Sequence, residues 1–152
     1  MNAADASPSS GSMNGRTHVL PVRVYYEDTD AGGIVYHANY LRFAERGRTE
    51  MLRALGIELA QLREDDGLIF VVRKGDMQYH KTASLDDCLV VETSLADIRG
   101  ASVLLQQTIF RVGGKQVNEK LFDFNVHVAC MGQDGKAARL PSALRGAFEK
   151  LL

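Results

Sequence analysis

Apolar and polar residues alternate from Val19 onward: Val22, Val24 and Tyr26 interleave with Arg23, Tyr25 and Glu27, a period of two that predicts a strand with one buried face. The period then changes. Over residues 38–55, Tyr40, Phe43, Ala44, Gly47, Met51, Ala54 and Leu55 form one stripe at helical spacing, with Arg42, Glu45, Arg46, Glu50 and Arg53 mostly off it as solvated ion-pair partners. Gly56 just beyond suits a left-handed C-terminal cap. Gly47 inside the stripe costs about 1 kcal/mol against alanine, which predicts that another element approaches the helix backbone there. A second, shorter helix is expected over residues 58–64, with Leu59 and Leu62 inward, ending near Asp66-Gly67.

Four strand-like runs follow, over residues 68–82, 88–98, 103–112 and 116–131, and the last places Phe122, Phe124, Val126, Val128 and Cys130 on one face. Gly113-Gly114 fits a tight hairpin turn, and Pro141 opens a C-terminal helix to about Leu151. Helices and strands are segregated along the chain, which points to an α+β fold with a mainly antiparallel sheet. Residues 1–18 are rich in Ser, Ala, Gly and Asn and are expected as a disordered tail, leaving residues 19–152 as a single domain.

Composition narrows the function classes. The 152 residues carry 18 Lys and Arg against 19 Asp and Glu, so no bulk positive field recruits nucleic acid or an anionic membrane. No run approaches the roughly 20 apolar residues of a membrane span, and no secretory apolar segment opens the chain. Cys88 and Cys130 lack metal-type spacing and read as reduced core residues, so a soluble cytoplasmic protein is expected.

The chemistry concentrates in "YYEDTDAGGIVYHANYL", residues 25–41. Asp30 follows a strand end, Gly32-Gly33 turns the chain, and His37 falls at the first turn of the helix. Unpaired N–H groups at a helix start, here those of Tyr36, His37 and Ala38, suit a developing oxyanion. An acid, an imidazole and an oxyanion site match acyl transfer from a thioester, whose thiol leaves with a pKa near 8.5 and needs little acid assistance. From composition alone Asp30 also reads as an ordinary turn residue. Metal binding is disfavoured: Asp28 and Asp30 lack the further ligands of a calcium loop, and His80 and His127 lack a third zinc ligand. There is no G-x-S-x-G elbow, P-loop or dinucleotide glycine pattern.

The segment "VRVYYEDTDAGGIVYHANYLRFAERGRTEMLRALG" resembles the hot-dog-fold acyl-CoA thioesterases of the 4-hydroxybenzoyl-CoA thioesterase class, and within them the branch associated with the bacterial Tol-Pal system. The resemblance rests on D-x-D-A-G-G, then I-V-Y-H, then a helix beginning near N-Y; "GDMQYHKTASLDDCLVVET" is also similar to the family's strand after the helices. It implies a five-stranded antiparallel sheet wrapped around a long helix, with Asp30 as the catalytic carboxylate and His37 taking part. It further implies homodimers, as a rule joined into tetramers, with sites at the subunit interface, an acyl-CoA substrate and no separate cofactor. Acyl carrier protein or phospholipid-synthesis enzymes are expected partners at the inner membrane face.

Coenzyme A carries phosphates, and Arg73, Lys74, Lys81 and Arg99 are the strand or strand-end cations expected to meet them. Two other readings stand beside hydrolysis: a hot-dog 3-hydroxyacyl dehydratase, and a non-catalytic module that binds acyl-CoA or acyl carrier protein.

Overall fold

The computed structural model describes residues 2–113 and 118–152. Six strands form one antiparallel sheet: β1 (Ser12–Asn14), β2 (Thr17–Arg23), β3 (Ile69–Tyr79), β4 (Cys88–Ile98), β5 (Ser102–Val112) and β6 (Glu119–Met131), in the spatial order β1-β2-β4-β5-β6-β3. Helix α1 (Asn39–Ala54) packs on β2, β4 and β5, while α2 (Leu59–Asp66) lies against β3 and α3 (Ser142–Glu149) against β4.

Strand β6 follows its pattern: Phe122, Phe124, Val126, Val128 and Cys130 are all buried and face α1 with Val91, Leu105 and Ile109 of the neighbouring strands. The stripe Tyr40, Phe43, Ala44, Gly47 and Met51 is buried as the helical period requires. A Cβ on Gly47 would lie 2.7 Å from Val91 Cγ1, 3.0 Å from Thr93 Oγ1 and 3.1 Å from Gln107 Nε2, which is the close approach the sequence called for. Gly56 has φ 82° and ends α1 by donating its N–H to the Arg53 carbonyl.

Beneath Gly47 runs a buried polar network. Gln107 donates from Nε2 to the Ala44 carbonyl at 2.8 Å and to Thr93 Oγ1 at 2.9 Å, and its Oε1 accepts from Arg48 at 2.9 Å. Arg48, itself buried, also pairs with Glu45. Burial pulls the Arg48 pKa down, and Glu45 pulls against it.

Three expectations need correction. The sheet has six strands, because residues 12–14, expected in a disordered tail with the rest of 1–18, pair with residues 17–19. His18 is fully buried there, with its Nε2 2.8 Å from the Ser10 carbonyl. Tyr26 does not continue the β2 alternation: residues 26–28 form a single 3₁₀ turn and the Tyr26 ring is exposed. Cys88 is only half-buried, although both cysteines are free. The turn expected at Gly113-Gly114 falls partly outside the described residues.

Strand β3 is the sheet edge opposite β1 and β2. Its inward row, Val72, Met77 and Tyr79, stays exposed because α1 lies over β2, β4 and β5 and leaves this edge of the inner face largely uncovered.

Candidate functional site

Residues 29–35 form a small hairpin closed by the Thr29–Val35 bridge. Asp30 sits at its corner: its N–H donates to the Ile34 carbonyl at 2.9 Å and its own carbonyl accepts the Gly33 N–H at 3.0 Å. Gly33 takes φ 79°, a conformation that side chains resist. The Asp30 Oδ1 accepts the Gly32 N–H at 2.8 Å, and Oδ2 has no protein partner among the described residues. The carboxylate is thus anchored by one oxygen and open at the other.

The second acid of the pair is spent on structure. Asp28 is buried, its Oδ2 accepting the Tyr25 N–H and its Oδ1 the Asn39 Nδ2, each at 2.8 Å. Asp28 therefore ties the start of α1 to the turn before the hairpin.

His37 lies two residues before Asn39, the first residue of α1. Its ring is exposed and lies 4.5 Å from the Tyr36 ring between centroids. Ala38, the residue at the N-cap, offers no side chain to cap the helix, and the His37 and Ala38 N–H groups have no acceptor among the described residues. Tyr36 must be removed from the expected oxyanion donors, because its N–H donates to the Asp28 carbonyl at 2.9 Å. The helix start can stabilise negative charge through the two remaining amides and the helix dipole.

The hairpin is backed by residues 82–87. Val35 donates its N–H to the Ala83 carbonyl at 2.9 Å, Ile34 bridges Ser84, and the Ala83 N–H donates to the Tyr40 hydroxyl at 3.0 Å. Arg111 clamps that segment, donating to the Thr82 carbonyl at 3.0 Å and to Asp87 Oδ2 at 2.9 Å, and also pairs with Glu119. Nothing in the sequence pattern marked Arg111, since its partners lie far from it along the chain.

Around Asp30, the residues Tyr26, Thr29, Ala31, Gly33 and Leu85 line an open depression of about 490 Å³. Tyr25, Tyr26, Ile34, Tyr36 and Leu85 are all exposed here, a concentration of apolar surface that marks a ligand or partner face.

The four expected phosphate-binding cations separate. Arg73, Lys74 and Arg99 line one groove of about 400 Å³ on the outer face of the sheet with Ser102 and His127. Arg73 reaches it because β3 carries an irregularity between Val72 and Lys74. Lys81 lies elsewhere and pairs with Glu119 at 3.0 Å. His80 is taken up by Asp123, 2.8 Å from its Nε2. Among the described residues no cluster of three or more His, Cys, Asp or Glu side chains forms a metal site, and no described helix is long and apolar enough to cross a membrane.

The chain resembles proteins of known activity over nearly its whole length. It is 44% identical over 133 residues to an acyl-CoA thioesterase, YbgC, of Haemophilus influenzae, covering 87% of this chain and 94% of that protein. It is 40% identical over 139 residues to an acyl-CoA thioester hydrolase, YbgC, of Escherichia coli, covering 91% of this chain and all of that one. Among solved structures, a probable thioesterase from Bartonella henselae matches with a TM-score of 0.75 at 36% identity, over 82% of this chain and 99% of that one. The 4-hydroxybenzoyl-CoA thioesterase of Pseudomonas sp. strain CBS-3 shares the fold with a TM-score of 0.81 at 20% identity, over 87% of this chain and 99% of that one. The family model of the thioesterase-like superfamily matches residues 24–148, from the strand end before the Asp30 hairpin to the last turn of α3, and the chain belongs to that hot-dog superfamily.

Proposed function

We propose that the protein hydrolyses acyl-CoA thioesters to a carboxylic acid and free coenzyme A, with Asp30 acting as nucleophile or as the base for water. One observation carries this reading: a carboxylate fixed through one oxygen, with the other open, on a hairpin that runs directly into an uncapped helix start. Addition to the carbonyl places negative charge on its oxygen, which the His37 and Ala38 N–H groups are disposed to hold. Collapse expels the thiolate, and water supplies the oxygen that remains on the acid. The His37 ring orients the thioester or assists proton transfer.

Arg73, Lys74 and Arg99 supply the positive groove for the phosphates of coenzyme A. The apolar inner row of edge strand β3 supports a homodimer in which two copies pair along β3, since an exposed edge of this kind invites another strand. Two free cysteines are consistent with a reducing compartment such as the cytoplasm.

Incubation with an acyl-CoA in oxygen-labelled water tests hydrolysis. The reading expects one free thiol per turnover and, over many turnovers, a carboxylic acid labelled in one oxygen. Tight binding with the thioester left intact contradicts it and favours a binding module.

A further inference from the structure

The two walls of the cationic groove are built differently. Arg73 and Lys74 stand on β3, whose backbone is locked to β6 by the sheet ladder, and Ser102, His127 and Ala129 form a floor on β5 and β6. Arg99 stands on no strand, since it belongs to the turn between β4 and β5. Its acidic neighbour does not fix it: Asp97 Oδ2 lies 3.6 Å from the Arg99 Nε and both side chains are more than half exposed, a pairing that contributes little in water. The place of this guanidinium therefore depends on what holds the backbone of the turn.

That backbone is tied down from outside at three successive carbonyls. The Ala101 carbonyl accepts the Cys130 N–H at 2.8 Å and the Gly100 carbonyl accepts the Leu140 N–H at 3.1 Å. The Arg99 carbonyl, bonded to the Cα that carries the groove's cation, has a single donor among the described residues. It is the Arg145 Nη2 at 2.7 Å, which also reaches the Gly100 carbonyl at 3.3 Å. Arg145 sits on α3, a helix docked through the buried Leu144 and Phe148 that supplies no residue to the groove. A bond from a guanidinium is charge-assisted and stronger than one between neutral groups, so a side chain remote from the ligand carries the anchor nearest to Arg99.

We propose that Arg145 is a positioning residue for coenzyme A: it holds the β4–β5 turn so that Arg99 faces Arg73 and Lys74 across the groove. The proposal rests on the hydrolysis reading and on the groove as the phosphate site, and it adds that the C-terminal helix sets affinity for the carrier while leaving the chemistry at Asp30 untouched.

Steady-state kinetics with butyryl-CoA and with S-butyryl-N-acetylcysteamine, which lacks phosphates, tests it. Arg99→Ala is expected to raise KM for butyryl-CoA about tenfold, as the loss of one charge-assisted contact should. Arg145→Ala should raise it about threefold by leaving Arg99 present but poorly placed, with kcat and the KM for the phosphate-free thioester at wild-type values. The double variant should be no worse than Arg99→Ala, because nothing remains to be positioned. Arg145→Lys keeps a cation able to reach one carbonyl and should fall between wild type and Arg145→Ala; it carries the same comparison should the alanine variant fold poorly. An unchanged KM in Arg145→Ala, or equal changes with both thioesters, would overturn the proposal. Multiplying effects in the double variant, about thirtyfold, would also overturn it, by making Arg145 an independent contact. Arg99→Ala at the wild-type KM would remove its premise by moving the phosphate site elsewhere, and a wild type that leaves both thioesters intact would defeat the hydrolysis reading beneath it.

Discussion

The Tyr79 hydroxyl donates to the His37 carbonyl at 2.8 Å, joining the last residue of the edge strand to the residue just before the N-cap of the central helix. The Tyr79 ring is held by Tyr40 at 5.5 Å and Phe122 at 5.0 Å between centroids, so the hydroxyl is positioned by aromatic packing. Burial pushes the Tyr79 pKa up, which keeps the phenol a donor across the neutral range. Tyr79→Phe preserves the packing and removes only the hydrogen bond. It should cost about 0.5–1.5 kcal/mol of stability and lower kcat more than it raises KM, because it frees the His37 backbone. Steady-state kinetics showing an unchanged kcat would separate this bond from catalysis.

Gly47→Ala sets helix propensity against packing. Alanine gains about 1 kcal/mol in an exposed helix, yet its methyl would stand 2.7 Å from Val91 Cγ1 and press on the Thr93–Gln107 hydrogen bond. Overpacking of this kind costs about 1–3 kcal/mol, so urea titration should show net destabilisation. Val91→Ala in the same chain should recover part of the loss, as expected for residues in contact.

Acid should loosen the clamp behind the hairpin. Hydrogen bonds from Arg111 and Lys81 hold the Glu119 carboxyl below the usual carboxylate range, and donation to the Glu119 and Asp87 carboxylates raises Arg111. A depressed folded-state pKa stabilises fully above the unfolded value, about 4.3 for glutamate, and that stabilisation is lost as pH falls through the folded value. The thermal midpoint should therefore hold between neutrality and about pH 5 and decline below. Arg111→Gln should show a shallower acid decline and a lower midpoint at pH 7, since Thr82 and Asp87 lose their donor.

The cationic groove predicts a split between substrates. Arg73→Ala and Arg99→Ala should raise KM for acyl-CoA and leave KM for the matching N-acetylcysteamine thioester, which has no phosphates, unchanged. Lys81→Ala should leave both near wild type, because its ammonium is committed to Glu119. Equal effects on the two substrates would move the phosphate site elsewhere.

Much of this architecture is legible in local pattern, and the exceptions have a common cause. The alternation over residues 122–130 and the stripe from Tyr40 to Met51 record burial, which sequence period expresses directly. The strand at Ser12–Asn14 does not show as a period because its pairing is made by backbone groups rather than by apolar side chains. Tyr26 was misleading because a 3₁₀ turn interrupts an alternation that its side chain alone would continue. In the site, the motif points to the Asp28–Asp30 pair and to the helix start. What separates the two acids is Asn39, eleven residues on, which occupies Asp28 and leaves Asp30 open. The Tyr36 amide is lost to the oxyanion set through that same turn, by the Asp28 carbonyl. Arg111 and Gln107 escape sequence reading altogether, because their roles come from partners brought close only by the sheet.

Free-thiol release from butyryl-CoA by wild type and by folded Asp30→Asn tests the central claim most directly. Loss of a carboxylate acting as nucleophile or base should lower kcat by at least about 10²–10⁴-fold, roughly 3–5 kcal/mol, with the thermal midpoint close to wild type because Asp30 is exposed. An Asp30→Asn protein that releases thiol at the wild-type rate would contradict it and return Asp30 to an ordinary turn residue.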